Sequence, residues 1–168
     1  MVQKFKTLFF VKSSLISLYL ALTFPIPFIS SENLKIFSII TFVFGFLLII
    51  NITDDYVYIC DKKIYYKTSV ISKIFGNKNW EIIWGDIKLI KSLPTSQGSK
   101  VHYFINNKNE GFLVPQRIEN FERLISVVKD KTKLNIDNIS YISPLWTYKL
   151  LTYLSIFMII GEIIAFTI

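Results

Sequence analysis

The side chains that most often carry out catalysis are scarce in this 168-residue chain, which has one cysteine and one histidine. Cys60 lies in phase with Tyr56 on an alternating stretch, and His102 lies between Val101 and Tyr103 with no acidic residue at a matching position. A nucleophile and its base must lie within hydrogen-bonding distance, with a third group orienting the base. Lone residues of this kind are usually packing or surface residues of a sheet. We therefore expect no enzymatic activity, no catalytic residue, no metal site and no cofactor.

Five lysines form a group that could bind anions. They lie between residues 62 and 80, a stretch with no acidic residue: Lys62, Lys63, Lys67, Lys73 and Lys78. Each lysine close to an anionic bilayer contributes ~1 kcal/mol to binding, so the group is a candidate site for lipid headgroups or for a partner. Lysines also occur on exposed strand edges, where they prevent pairing between sheets. That structural interpretation stays open beside the functional one.

Glu162 is the one acidic side chain inside the last apolar run of the sequence. An ionisable group within a membrane is a candidate functional residue. If a helix begins at Pro144, however, Glu162 lies ~27 Å along it at 1.5 Å per residue. That depth is close to the far interface, so a solvated glutamate at the helix end is the competing interpretation.

Composition places the chain among membrane proteins. Hydrophobic residues make up 52% of it, above the ~45–50% of soluble domains, and they are clustered. The net charge is +7, and residues 54–143 hold 14 Lys or Arg against 10 Asp or Glu. Because these basic residues are dispersed among acidic ones, we expect an anionic membrane surface as a partner and no nucleic acid.

Three apolar runs predict three membrane spans. Ser13 to Ser31 is a run of 19 residues without a charge, and Ile36 to Thr53 is another of 18, close to the ~20 that a spanning helix needs. Pro25 and Pro27 predict the exit turn of the first span. The third run is 145–168. The predicted organisation is a transmembrane helical hairpin in residues 1–53, a polar domain in 54–143 and a transmembrane helix in 144–168.

The lysines near the spans predict the orientation of the protein. Three of them, Lys4, Lys6 and Lys12, precede the first span, whereas the short loop after it holds only Lys35 and Glu32. By the positive-inside rule, the N-terminus and the central domain should be cytoplasmic. The alternative, a cleaved signal peptide, lacks a cleavage site, and a second span follows at once.

Within the domain, apolar residues alternate along six stretches and then recur at helical spacing. The predicted strands are 56–60, 64–68, 80–84, 87–91, 101–105 and 112–114. From Arg117 a helix is expected, with one apolar stripe: Ile118, Phe121, Leu124, Ile125 and Val128. No helix lies between the strands, so a parallel α/β sheet is excluded. The predicted fold is α+β, an antiparallel bent sheet or split barrel closed by one helix.

Several short segments of this domain are similar to the bacterial pleckstrin-homology-like domain, which is often fused to membrane spans. They are Ile83-Trp84-Gly85-Asp86-Ile87, Val114-Pro115 and Phe121-Glu122-Arg123-Leu124. A hydrophobic hairpin placed before such a domain also resembles the photosystem I assembly factor family of thylakoid membranes, although a third span departs from that pattern. Both resemblances imply binding and scaffolding without a cofactor.

We therefore expect a multi-pass membrane protein whose cytoplasmic domain binds lipid headgroups or a partner protein and helps assemble or organise a membrane complex. The alternative is an accessory subunit of a small transporter or membrane enzyme. The near absence of polar residues in the spans argues against it. The sequence specifies neither the partner nor the oligomeric state.

Overall fold

The computed structural model describes residues 2–134, 136 and 139–168. The chain divides into two compact units, each discontinuous in sequence. One is the polar unit, Met1–Leu8 with Asp54–Pro144, and the other is the membrane unit, Phe9–Thr53 with Leu145–Ile168. The polar unit therefore includes the N-terminal residues, which the sequence analysis assigned to the hairpin segment.

The membrane unit consists of helices long and apolar enough to cross a bilayer. They are α1 (Phe9–Thr23) with its short continuation α2 (Ile26–Ile29), α3 (Glu32–Ile52) and α6 (Leu145–Thr167). These segments supply three candidate spans of 21 to 23 residues, as predicted. Pro25 interrupts the first span without ending it, because the helix resumes at Ile26. The exit turn lies at Ser30 and Ser31, slightly later than the prolines predict.

Small and hydroxyl-bearing side chains mediate the helix contacts of this unit. The buried residues of α1 and α6 are mostly small: Val11, Ser14, Ser17, Ala21, Thr152 and Ser155. Small residues let helix backbones approach closely in a membrane, where no hydrophobic effect drives association. Between α1 and α3, the Tyr19 hydroxyl donates a hydrogen bond of 2.7 Å to the carbonyl of Phe42. Gly45 provides the space that the Tyr19 ring occupies.

The first sheet of the polar unit has four antiparallel strands in the order β1-β2-β3-β4. They are β1 (Gln3–Lys6), β2 (Tyr56–Ile59), β3 (Lys63–Lys67) and β4 (Trp80–Ile83). A short helix, α4 (Val70–Ile74), connects β3 to β4. The alternating pattern of the sequence predicts β2, β3 and β4 but neither β1 nor α4.

The second sheet has three antiparallel strands in the order β5-β6-β7. They are β5 (Ile87–Pro94), β6 (Lys100–Asn106) and β7 (Gly111–Leu113). A single turn of 3-10 helix, Trp84–Asp86, joins β4 to β5. Two open sheets thus replace the one bent sheet or split barrel that was expected, and the described residues form no closed barrel. The physical reason is that this turn breaks the ladder where a continuous sheet would bend.

The closing helix α5 (Phe121–Thr132) begins later than the predicted Arg117. Asn120 has a left-handed backbone (φ 52°), so the helix cannot extend before it. Ile118 therefore lies outside α5 and forms a bridge with Thr7 of the N-terminal segment. The apolar stripe of α5 is otherwise as predicted, because its buried residues are Phe121, Leu124 and Val128. They join one core with residues of both sheets, among them Phe5, Val57, Ile64 and Phe104.

Candidate functional site

The five candidate lysines do not form one surface, because the sheet separates them. In the β2–β3 hairpin, Ile59 pairs with Ile64 next to the turn, and Tyr56 pairs with Lys67 at the opposite end. Lys62 and Lys63 therefore lie at the turn, and Lys67 lies at the other end of the hairpin. Lys63 is also neutralised locally, since its ammonium lies 2.7 Å from the Glu81 carboxylate.

The remaining lysines, Lys67, Lys73 and Lys78, are exposed on or beside the connection from β3 to β4. Asp55 fixes the start of this connection. Its Oδ1 accepts hydrogen bonds from the Thr68 hydroxyl (2.9 Å) and the Ser69 amide (3.0 Å). The three lysines are therefore held at one end of the first sheet.

Asp55 also accepts a hydrogen bond of 2.6 Å from the Tyr66 hydroxyl. Burial first, and the Asp55 carboxylate next, raise the pKa of Tyr66 above its usual value. Tyr56 makes a parallel contact, donating its hydroxyl hydrogen bond to Asp54, and this bond is the largest cause that raises the pKa of Tyr56 to about 12. Both phenols stay protonated at neutral pH and act as hydrogen-bond donors.

Cys60 lies next to the first sheet, and His102 lies within the second sheet. Cys60 follows β2 and is half-buried, and its carbonyl accepts a hydrogen bond of 2.9 Å from the Trp84 indole. His102 is 1% exposed, and its Nδ1 lies 2.7 Å from the Ser92 hydroxyl. Burial, with a smaller effect of Lys100, lowers the pKa of His102 below 6.5. His102 is thus a neutral, buried side chain that packs on the core side of the second sheet.

Glu162 lies 17 residues after the first residue of α6, which places it ~26 Å along the helix. Its side chain is partly buried, and within the part of the chain that the structure describes, Oε2 has no hydrogen-bond partner. Its functional role remains a prediction. Among the same residues, no group of three or more His, Cys, Asp or Glu is placed to hold a metal ion.

The second sheet has an apolar surface that the sequence analysis did not single out. One side of the sheet carries His102, Phe104 and the core. The opposite side, here called the outer face, presents Leu89, Leu93, Val101, Tyr103, Ile105 and Leu113 around one charged residue, Lys91, which pairs with Tyr103. Leu89, Leu93 and Leu113 are 40 to 48% exposed. The sequence of β6 contains a signal for this face, since Val101, Tyr103 and Ile105 are apolar or aromatic although they alternate with the buried residues of the strand.

A small polar pocket of about 170 Å³ lies between β1 and the start of α5. Its charged lining residues are Lys4, Lys6, Glu119 and Arg123. The ammonium of Lys4 lies 3.6 Å from the centre of the Tyr56 ring, an attractive arrangement of a cation and an aromatic face. The sequence signal for this pocket was limited to the basic N-terminal residues, which were interpreted as flanking a span.

Comparison with known proteins yields one curated relative of this chain. Uncharacterized protein slr0269 of Synechocystis sp. is 27% identical over 147 residues, which cover 84% of this chain and 74% of the relative. No protein family model matches the chain. The chain is therefore a distant homologue, over most of its length, of an uncharacterized protein.

Proposed function

We propose that this protein is a membrane-anchored, non-enzymatic scaffold that helps assemble or organise a membrane complex through its polar unit. The observation that carries the proposal is the outer face of the second sheet. It presents six apolar or aromatic side chains around Lys91 on adjacent strands, on the side opposite the core. Apolar residues exposed together are typical of protein–protein contact surfaces.

The connections between the two units support this role. The chain passes between the polar unit and the membrane unit at three points, after Leu8, after Thr53 and after Pro144. β1 and β2 flank the α1–α3 segment in sequence and are hydrogen-bonded to each other. Both ends of that segment therefore belong on one side of the membrane. Because the lysines at positions 4, 6 and 12 precede or begin α1, we assign that side to the cytoplasm.

The arrangement of the polar unit is compatible with a pleckstrin-homology-like domain. It has two open antiparallel sheets, followed by one amphipathic helix whose apolar side chains complete the core. Domains of this class act by binding, which suits a unit tied to a membrane. The structural support is the helix α5, since Phe121, Leu124 and Val128 are almost completely buried.

Quantitative co-purification from native membranes tests the scaffold role. The variant Leu89→Ser/Leu113→Ser makes the outer face more polar at two exposed positions. The control is Ile83→Ser, which changes a somewhat more exposed apolar residue (56%) of a strand in the other sheet. We expect proteins recovered with the wild type to be recovered with the control and lost with the double variant. Equal recovery from all three would refute the outer face as the binding surface.

Cysteine accessibility tests the orientation. In a Cys60→Ser background, single cysteines replace Val2, Asn77 and Thr167, and a membrane-impermeant maleimide is added to sealed cells or to inverted vesicles. We expect Val2 and Asn77 to react only from the cytoplasmic side and Thr167 only from the opposite side. Reaction of Asn77 and Thr167 from the same side would refute the three-span topology.

A further inference from the structure

The short helix α4 buries a serine and exposes large apolar side chains, unlike an ordinary surface helix. Its buried side chain is Ser72, which is 2% exposed. Val70, Ile74 and the following residue Phe75 are 70 to 78% exposed. Large apolar side chains concentrated on one exposed element mark a contact surface, whereas single exposed ones need no explanation.

The exposed position of α4 is fixed by hydrogen bonds at both ends of its connection. The Ser69 hydroxyl accepts the Ser72 amide at 3.1 Å, which caps the helix. The Thr68 amide donates to Asn79 Oδ1 at 2.9 Å, which joins the two ends. With the two bonds to Asp55, these contacts keep the apolar side chains of α4 pointing outward.

Chain connectivity keeps the start of this connection close to a membrane surface. Asp55 is three residues after Ile52, where α3 ends. Three residues extend at most ~11 Å. The residues that Asp55 binds, Thr68 and Ser69, are therefore linked to the end of a candidate span through Asp55 and a short piece of chain. A lipid surface is within reach of α4, which immediately follows Ser69.

The charges around α4 match an anionic surface. Lys67, Lys73 and Lys78 are exposed, and the sequence from 62 to 80 has no acidic residue. Apolar side chains next to lysines are typical of segments that lie in the interface of a bilayer. The lysines contact phosphates there, and the apolar groups enter the boundary between headgroups and acyl chains.

We propose that residues 67–78 are an interfacial anchor that inserts Val70, Ile74 and Phe75 into the anionic bilayer crossed by the protein's own helices. The anchor adds a fourth attachment of the polar unit to the membrane, beside the three chain connections. It holds the polar unit in one orientation at the surface. This proposal does not rest on partner binding by the outer face.

Spin-label depth measurements on the purified full chain test the anchor without any partner present. In a Cys60→Ser background, Phe75→Cys is labelled with a nitroxide, and Gln97→Cys in the exposed β5–β6 turn is the matched control. Each protein is reconstituted in nanodiscs of phosphatidylcholine with phosphatidylglycerol. Oxygen partitions into the bilayer, and a nickel chelate stays in water.

We expect the label at residue 75 to be relaxed more by oxygen and less by the nickel chelate than the label at residue 97. In the background Lys67→Gln/Lys73→Gln/Lys78→Gln, the label at residue 75 should shift toward the aqueous pattern. The shift should be smaller in nanodiscs of phosphatidylcholine alone. An aqueous pattern at residue 75 in the unsubstituted background would overturn the proposal. Protection from both reagents would also overturn it, because a protein surface would then cover the segment.

Discussion

Replacing Phe121 by alanine should severely destabilise the polar unit. The side chain is 1% exposed and packs in the core with Leu124 and Val128, which are fully buried. The ring of Tyr141 lies 5.3 Å from it, centre to centre. Truncation of a buried phenylalanine typically costs ~3–5 kcal/mol, through lost burial and a residual cavity. That is a large share of the ~5–15 kcal/mol that stabilises a domain.

Hydrogen exchange of the detergent-solubilised full chain measures this cost. The full chain is needed because Phe5 of β1, which precedes the first span, belongs to the same core. A loss of ~3–5 kcal/mol corresponds to protection factors lower by about two to nearly four orders of magnitude. We expect this change at the slowest amides of β2, β3 and β6 in Phe121→Ala. Glu122→Ala, at the exposed neighbouring position, should leave them nearly unchanged. Equal protection in the two variants would refute the role of α5 in closing the core.

Three further predictions concern single side chains. The pKa of His102 is lowered in the folded protein, so the stabilising effect of neutral His102 is complete above pH 6.5 and is lost as the pH falls through the lowered value. Melting followed by near-ultraviolet circular dichroism should show this loss in the wild type and not in His102→Gln. An identical loss of stability in both proteins would assign the loss to other groups. Gly45→Ala places a Cβ 2.9 Å from Tyr19 Cζ, which should weaken the α1–α3 contact by ~1 kcal/mol in unfolding from mixed micelles. The same substitution should cost nothing in a Tyr19→Leu background, and an equal cost in both backgrounds would contradict the steric explanation. Asp55→Asn removes a charged acceptor of three hydrogen bonds, so trypsin should cleave within residues 67–78 on the order of tenfold faster. The control Asp86→Asn should not change the cleavage rate. Unchanged cleavage of both variants would show that other contacts hold the connection from β3 to β4.

The alternating pattern predicted six strands because each contains several apolar or β-branched residues next to a turn. It did not predict β1, whose four residues include one apolar side chain, Phe5, between charged or polar neighbours. The partner of β1 lies about fifty residues away, beyond two spans, so no local signal marks the pairing. The start of α5 was placed too early because Ile118 fits the helical spacing. The left-handed conformation of Asn120, which decides the boundary, has no such signal.

The sequence alone does not show which of the candidate lysines are neighbours in the folded protein. Their spacing identified a stretch free of acidic residues, but pairing in the sheet decides which of them are neighbours. Lys63 is engaged by Glu81, a residue 18 positions later, through the pairing of β3 with β4. Between the predicted strands 64–68 and 80–84, no helix was predicted where α4 lies. A stretch of Val, Ile and Phe usually predicts burial. The sequence alone therefore does not reveal that most of these apolar side chains are exposed.

The position of β1 connects the folding of the polar unit to the insertion of the spans. Phe5 is 6% exposed in the core, yet the chain must pass through α1 and α3 before it reaches β2, the strand that pairs with β1. The first sheet can therefore be completed only after both ends of the helical hairpin are on the same side of the membrane. A wrongly inserted first span would leave Phe5 outside the core and would expose the edge of β2. Unpaired strand edges favour association with other chains, so completion of this sheet distinguishes correctly inserted molecules from misinserted ones. For a protein that we propose to be an assembly scaffold, the polar unit would then be complete only in correctly inserted molecules.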